Sequence, residues 1–265
     1  MLYITGDTHG TADILKIELL RNSLMPDDFL LITGDFGVIW RNENDDDPDK
    51  KIRENSLIDF YENLGCTILW IDGNHENHVR LMNMPITEWH GGKIHKISEH
   101  IFHLMRGEIF EIAGYRVFTM GGAASTDKEW RIPGFSWWKE EVPNEEERKY
   151  AIEKLEESNW NVDLVITHTA PTSVLRKIGA EYRIDKYTDW LDSIKERLTF
   201  NKWFFGHFHT DIMIEETNAS DVENKKNTEN ISNYGTFFLC FDEVTILEEK
   251  LIDKKGEQDN ADRNI

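Results

Sequence analysis

The sequence predicts an α/β domain, and three observations carry that reading. Short apolar runs alternate with amphipathic stretches of helical spacing, several runs end at a glycine followed by Asp, Asn or His, and no internal repeat or Gly/Ser-rich linker divides the 265 residues. A content of 39% apolar and 11% aromatic residues supplies one large core without staples. A single domain over residues 1–250 is the simplest organisation.

Taken in order, the strands expected from unbroken apolar runs are Leu2 to Thr5, Phe29 to Thr33, Thr67 to Ile71, Arg116 to Met120, Leu164 to Thr167 and Trp203 to Phe205. Runs at Ile101 to Met105, Ile109 to Ile112, Ile212 to Ile214, Thr236 to Phe241 and Val244 to Leu247 alternate more and are tightly linked, as in antiparallel pairs. Helical spacing marks Ala12 to Asn22, Lys51 to Asn63, Glu145 to Ser158 and Thr188 to Leu198. The third of these is preceded by Pro143 and a capping Asn144, with three glutamates in its first turn, where they suit the helix dipole. The polar stretch at about 215–233 reads as a surface insertion, and 251–265 as a frayed tail.

Composition narrows the function. Cys66 and Cys240 lie in apolar runs and read as buried thiols of a reducing compartment, not as a disulfide framework. The N-terminus "MLYITGD" has no basic n-region, and no apolar stretch approaches the roughly 18 to 20 residues of a membrane span. A cytoplasmic protein without membrane contact is expected. The formal charge of −20 repels polyphosphate backbones at long range and argues against nonspecific nucleic-acid binding. Nothing in the sequence sets an oligomeric state.

Five apolar runs end in groups able to bind a cation. "LYITGDTHG" supplies Asp7 and His9, "LLITGDFG" Asp35, "ILWIDGNHE" Asn74 and His75, "LVITHTAP" His168, and "WFFGHFH" His207 and His209. Residues i and i+2 of an extended segment share one face, so His207 and His209 can converge. Loops at strand ends of one sense gather at one edge of an α/β sheet, so all five can meet. Carboxylates, an amide oxygen and imidazoles without thiolate suit Mn²⁺, Fe²⁺/³⁺, Zn²⁺ or Ni²⁺ and suit Ca²⁺ or a structural zinc poorly. Even with His75 set aside, the seven remaining groups exceed one coordination shell. They fit two ions sharing a carboxylate, the arrangement used in phosphoester displacement.

The ordered series D-x-H, GD, GNHE, a lone His and GHxH resembles the calcineurin-like metallophosphoesterase superfamily over roughly residues 1 to 250. The resemblance implies a four-layer α/β/β/α sandwich, two mixed β-sheets face to face with helices outside. It casts Asp7, His9 and His209 as ligands of a first metal and Asn74, His168 and His207 as ligands of a second, with Asp35 bridging. It further implies a metal-bridging hydroxide as nucleophile and His75 as the acid that protonates the leaving alkoxide. The phosphoprotein phosphatase branch carries Asp, then Arg-Gly, after its GD aspartate and an arginine before GNHE. Here those positions read Val38, Ile39, Trp40 and Asp72, which removes that branch's phosphate clamp and leaves the partner of His75 unidentified.

The other histidines, His78, His90, His95, His100 and His103, lack ligand spacing and are expected to be structural. Gly121 to Glu141 mixes Trp130, Phe135, Trp137 and Trp138 with Lys128 and Arg131, so it reads equally as a loop over the site and as a loop anchored by its aromatics. Arg106 and Arg176 are candidate phosphate contacts, with surface salt bridges the favoured alternative. The expected function is hydrolysis of a small phosphoester, perhaps a nucleotide. A nuclease or phosphoprotein phosphatase of the same fold is the alternative, and a non-catalytic metal-binding module a weaker one.

Overall fold

Each central strand points alternate residues to opposite faces, and in this chain both faces are apolar, so both must be covered. The computed structural model describes residues 1–10, 13–42, 46–215 and 235–250. The expected tail and all but the first residue of the expected insertion lie outside them.

The first sheet takes β1 (Leu2–Thr5), β2 (Phe29–Ile32), β3 (Thr67–Trp70), β4 (Ile86–Trp89), β5 (Gly92–Lys96) and β6 (Ile101–Leu104). The second takes β7 (Glu108–Ile112), β8 (Tyr115–Met120), β9 (Leu164–Thr167), β10 (Lys202–Phe205), β11 (Ile212–Glu215) and β12 (Thr236–Leu239), while β13 (Thr245–Leu247) returns to the first. Strand order is β13-β1-β2-β3-β6-β5-β4 in one sheet and β11-β12-β10-β9-β8-β7 in the other. The run β1, β2, β3 is parallel, and so is β8, β9, β10. Both sheets are mixed, because β13, β5, β4, β7 and β11 join antiparallel.

Leu2, Ile4, Leu31 and Leu69 of the first sheet meet Phe110, Val117, Ile166 and Phe204 of the second in a core between the sheets. Their neighbours in sequence point outward. Tyr3, Leu30, Ile32 and Trp70 pack under α1 (Ile14–Leu20), α2 (Pro48–Glu62) and α3 (His78–Met82) through Ile17, Leu57, Tyr61 and Leu81. Phe118, Val165, Trp203 and Phe205 pack under α4 (Glu145–Glu157), α5 (Thr172–Lys177) and α6 (Lys186–Lys195) through Leu155, Val174 and Leu191. The result is the four-layer α/β/β/α sandwich that the resemblance implies.

Three expectations are corrected. The runs at 101–105 and 236–241 do not pair only antiparallel, since β6 lies parallel to β3 and β12 parallel to β10. Strands β4 and β5 were not anticipated, because Ile86–Trp89 is mostly exposed and lacks an apolar run. Helices α3 and α5 escaped notice for their length, five and six residues, too short for a helical period to register. The α4 cap is as expected: Asn144 accepts from the amides of Glu146 and Glu147, and Glu147 answers in a capping box. Both cysteines are free and buried. Among the described residues, no helix is long and apolar enough to cross a membrane.

Candidate active site

Five of the parallel strands, β1, β2, β3, β9 and β10, release their chains at one edge, and the loops carry the predicted residues there. Three glycines make the convergence possible. A Cβ on Gly34 would overlap the His168 ring, one on Gly73 the Asp35 carboxylate, and one on Gly206 the Asp7 carboxylate. Each glycine is thus the space that a group from another loop needs.

All seven expected ligands come together. Asp35 Oδ2 lies 3.4 Å from His9 Nε2 and also 3.4 Å from His168 Nε2. His209 Nε2 is 3.2 Å from Asp7 Oδ2, and Asn74 Oδ1 is 3.2 Å from His168 Nε2. The rings of His168 and His207 are 5.0 Å apart. Potential ligand atoms of Asp7, His9 and His209, of His9, Asp35 and His75, and of Asp35, His168 and His207 each lie within 4.8 Å of one another. His75 therefore borders one of the groups, and its backbone N–H donates to Asp35 Oδ1 at 2.7 Å.

The donor set fits cations in ways that packing alone does not require. Asp7 and Asp35 are 0% and 1% exposed, and among the described residues no lysine or arginine side chain reaches either carboxylate. Two buried carboxylates whose direct side-chain partners are histidines need a positive charge beside them, which protons on the imidazoles or a bound cation can supply. Burial works against charge on His168, yet Asp35 and Asp7 push it up to about 9. His9 is likewise pushed up to about 9 against burial, chiefly by Asp35. Those two protons occupy positions open to a metal. His207, held down to about 3 by burial and the His168 charge, is a neutral imidazole, the ligating form.

Outer contacts aim the ligand atoms inward. His9 Nδ1 is 2.9 Å from Asp13 Oδ2 and His168 Nδ1 2.8 Å from the Thr33 carbonyl, which leaves each Nε2 facing Asp35. Asn74 Nδ2 donates to Ser125 Oγ, which in turn donates to Glu141, so the Asn74 oxygen points at His168. His9, Asp35, His207 and His209 all have left-handed backbones, with φ of 45°, 48°, 73° and 50°. Such strain costs roughly 1–2 kcal/mol per residue and concentrates at functional sites.

The loop at 121–141 both covers the site and is anchored. Arg131 Nη2 lies 3.0 Å from His75 Nε2 and is the partner that the sequence left unidentified. Trp138 packs edge-on against Trp40, which stacks on His75 with ring centroids 6.0 Å apart, while Trp130 is 89% exposed. Ser125, Glu141 and Asp13 escaped the sequence reading as site residues, and Trp40 entered it only as a departure from the phosphatase pattern. Only Asp13, four residues after His9, carried a local signal.

Arg106 departs from expectation. It is buried, donates to Asp72 Oδ2 at 2.9 Å and 2.5 Å, and pairs with Glu147, so it is neither a surface salt bridge nor a phosphate contact. Arg176 is exposed in the last turn of α5. His78, His95 and His103 are buried around Asp72 and Arg106. A search of the curated proteins found no match. The sequence model described as calcineurin-like phosphoesterase matches residues 2–211, about four-fifths of the chain. With its clustered aspartates and histidines at the strand ends, the chain belongs to the calcineurin-like phosphoesterase family, metal-dependent hydrolases of phosphoester bonds.

Proposed function

We propose that the protein hydrolyses a small soluble phosphoester at a centre of two metal ions. Asp7, His9 and His209 would hold one ion and Asn74, His168 and His207 the other, with Asp35 within reach of both sets. The observation that carries this reading is the position of Asp35 Oδ2, equidistant from one histidine of each set. Two such ions, when bound, acidify water and offset charge on the phosphoryl oxygens. The chain's own residues do the rest. Carboxylates and imidazoles fix the ions, His75 stands beside them to serve the leaving oxygen, and Arg131 adds a cation at the same edge.

The substrate is small because the surface repels long polyanions at a net charge of −20. Elemental analysis after reconstitution with Mn²⁺, Fe²⁺, Zn²⁺ or Ni²⁺, followed by assays on nitrophenyl mono- and diesters and nucleotides, tests the reading. Two ions per chain and turnover of small esters are expected. Tight, salt-sensitive duplex DNA binding with cleavage and no turnover of small esters would replace it with a nuclease. Failure to bind any of these metals would overturn it.

A further inference from the structure

A pocket of about 420 Å³ opens beside the centre, lined by His9 and His75 and by residues of α2. Its α2 wall is one helical face, since Lys50, Arg53, Glu54 and Leu57 are spaced three to four residues apart or adjacent. Lys50 and Arg53 are exposed, and Arg41 lines the same pocket. Glu54 does not cancel them. Its carboxylate is taken by a bidentate pair with Arg80 at 2.6 Å and 2.7 Å. Lys50 is 4.0 Å from Asp47 and lies over the Phe135 ring, and Arg53 forms no ion pair among the described residues. Within the lining, Arg41, Lys50 and Arg53 outnumber the single carboxylate of Glu54, on a protein of charge −20.

The wall is also held in place. Asn77 donates its side-chain amide to the carbonyls of Trp40 and Arg41 and accepts from the Arg80 amide, while its own backbone N–H bonds Ile39. The lining also includes Trp40, Val38 and Leu57, an apolar surface with one indole ring, and Trp40 stacks on His75. The pocket thus brings together His75 beside the centre, an apolar and aromatic surface, and the side chains of Arg41, Lys50 and Arg53.

We infer that the pocket receives the leaving group of the substrate and that this leaving group carries a second anionic group, held by Arg53 and Lys50. The inference rests on the phosphoesterase reading for the direction in which the substrate lies. The organic body rests on Trp40 and Leu57, and the distal phosphate or carboxylate takes charge-assisted hydrogen bonds from α2.

Direct binding tests this independently of turnover. Calorimetric affinities are compared for adenosine 5′-monophosphate against adenosine 3′,5′-bisphosphate, and for glycerol 3-phosphate against 3-phosphoglycerate, with wild type and with Arg53→Ala plus Lys50→Met. The second anion should tighten wild-type binding roughly tenfold or more, and the double variant should lose most of that advantage. An advantage in the first pair alone identifies a phosphate, and in the second alone a carboxylate. Equal affinities within both pairs, or an advantage that survives the double variant, would overturn the inference. Steady-state assays on the same pairs separate the two readings. No turnover of any ester counts against the hydrolase, whereas turnover without preference for the second anion counts against the pocket.

Discussion

Arg131 Nη2 lies 3.0 Å from His75 Nε2, and because arginine keeps its proton, the guanidinium donates and His75 accepts. The His75 proton is therefore on Nδ1. Burial first, then the Arg131 charge, hold His75 below the ordinary histidine range although Asp35 opposes them. A phosphoryl oxygen is a better partner for the guanidinium than an imidazole is, so an incoming ester would draw Arg131 away and free Nε2.

Arg131→Ala should raise KM and lower kcat/KM by about 10- to 100-fold, the loss of a charge-assisted contact. Removing the neighbouring positive charge also raises the His75 pKa, so the pH limb that belongs to His75 should move upward. Steady-state pH profiles decide the matter. A variant with normal KM and an unmoved limb would make Arg131 a loop anchor, tied by its 2.8 Å pair with Asp127.

Asn74 can offer either its oxygen or its nitrogen, and the chain Asn74 to Ser125 to Glu141 decides which. Ser125 Oγ lies 3.2 Å from Asn74 Nδ2 and 2.6 Å from Glu141 Oε2, and the Ser125 amide bonds Glu141 Oε1 at 2.8 Å. Ser125→Ala should weaken metal affinity by about 10- to 100-fold, as loss of outer-shell orientation does, and at the second site rather than the first. Titration of the metal-free variant by calorimetry distinguishes the sites. Unchanged affinity at both would show that Asn74 needs no orienting partner.

The strand ends were legible because each carries its chemistry locally: a run such as Leu164 to Thr167 announces the strand, and His168 follows it directly. The five loops meet because the parallel strands β1, β2 and β3 of one sheet and β9 and β10 of the other end at the same edge of the sandwich. What the sequence did not reveal depends on contacts across long separations. Arg106 meets Asp72 from 34 residues away, and Ser125 meets Asn74 from 51. No period or motif encodes such a pairing, so Arg106 read as an ordinary surface charge. Trp40 was visible only as a departure from a phosphatase pattern, and its stacking on His75 required the fold.

Asp35 tests whether the centre is shared. Asp35→Asn keeps the size of the side chain and removes its charge, so occupancy at both proposed sites should fall together. His209→Ala should mainly empty the first, because its Nε2 lies 3.2 Å from Asp7 Oδ2 and it groups with Asp7 and His9. Elemental analysis of both purified variants at one metal concentration makes the comparison. A variant at Asp35 that lost a single ion would leave the two sites without a bridge.

His95 carries a pH-dependent stability term that a single substitution isolates. Burial, with the neighbouring His103 adding to it and Asp72 opposing, holds His95 down to about 3, while the same group titrates near ~6.5 in an unfolded chain. Below about pH 6.5 the unfolded state takes up a proton that the native state refuses, so stability is lost as pH falls, by roughly 1.4 kcal/mol per pH unit until native His95 titrates. His78, buried and held down to about 3, acts in the same sense. Glu76 and Glu141, both raised by burial, act in the opposite sense above the unfolded glutamate range, so the wild-type curve alone blends these contributions. His95→Phe keeps the stacked ring that now lies 5.2 Å from His103 and removes the titration. Denaturant unfolding of wild type and variant at a series of pH values should give a stability difference that shifts in favour of the variant below pH ~6.5, with a slope near ~1.4 kcal/mol per unit. A difference independent of pH would mean that His95 is protonated in the native state or does not titrate differently on unfolding.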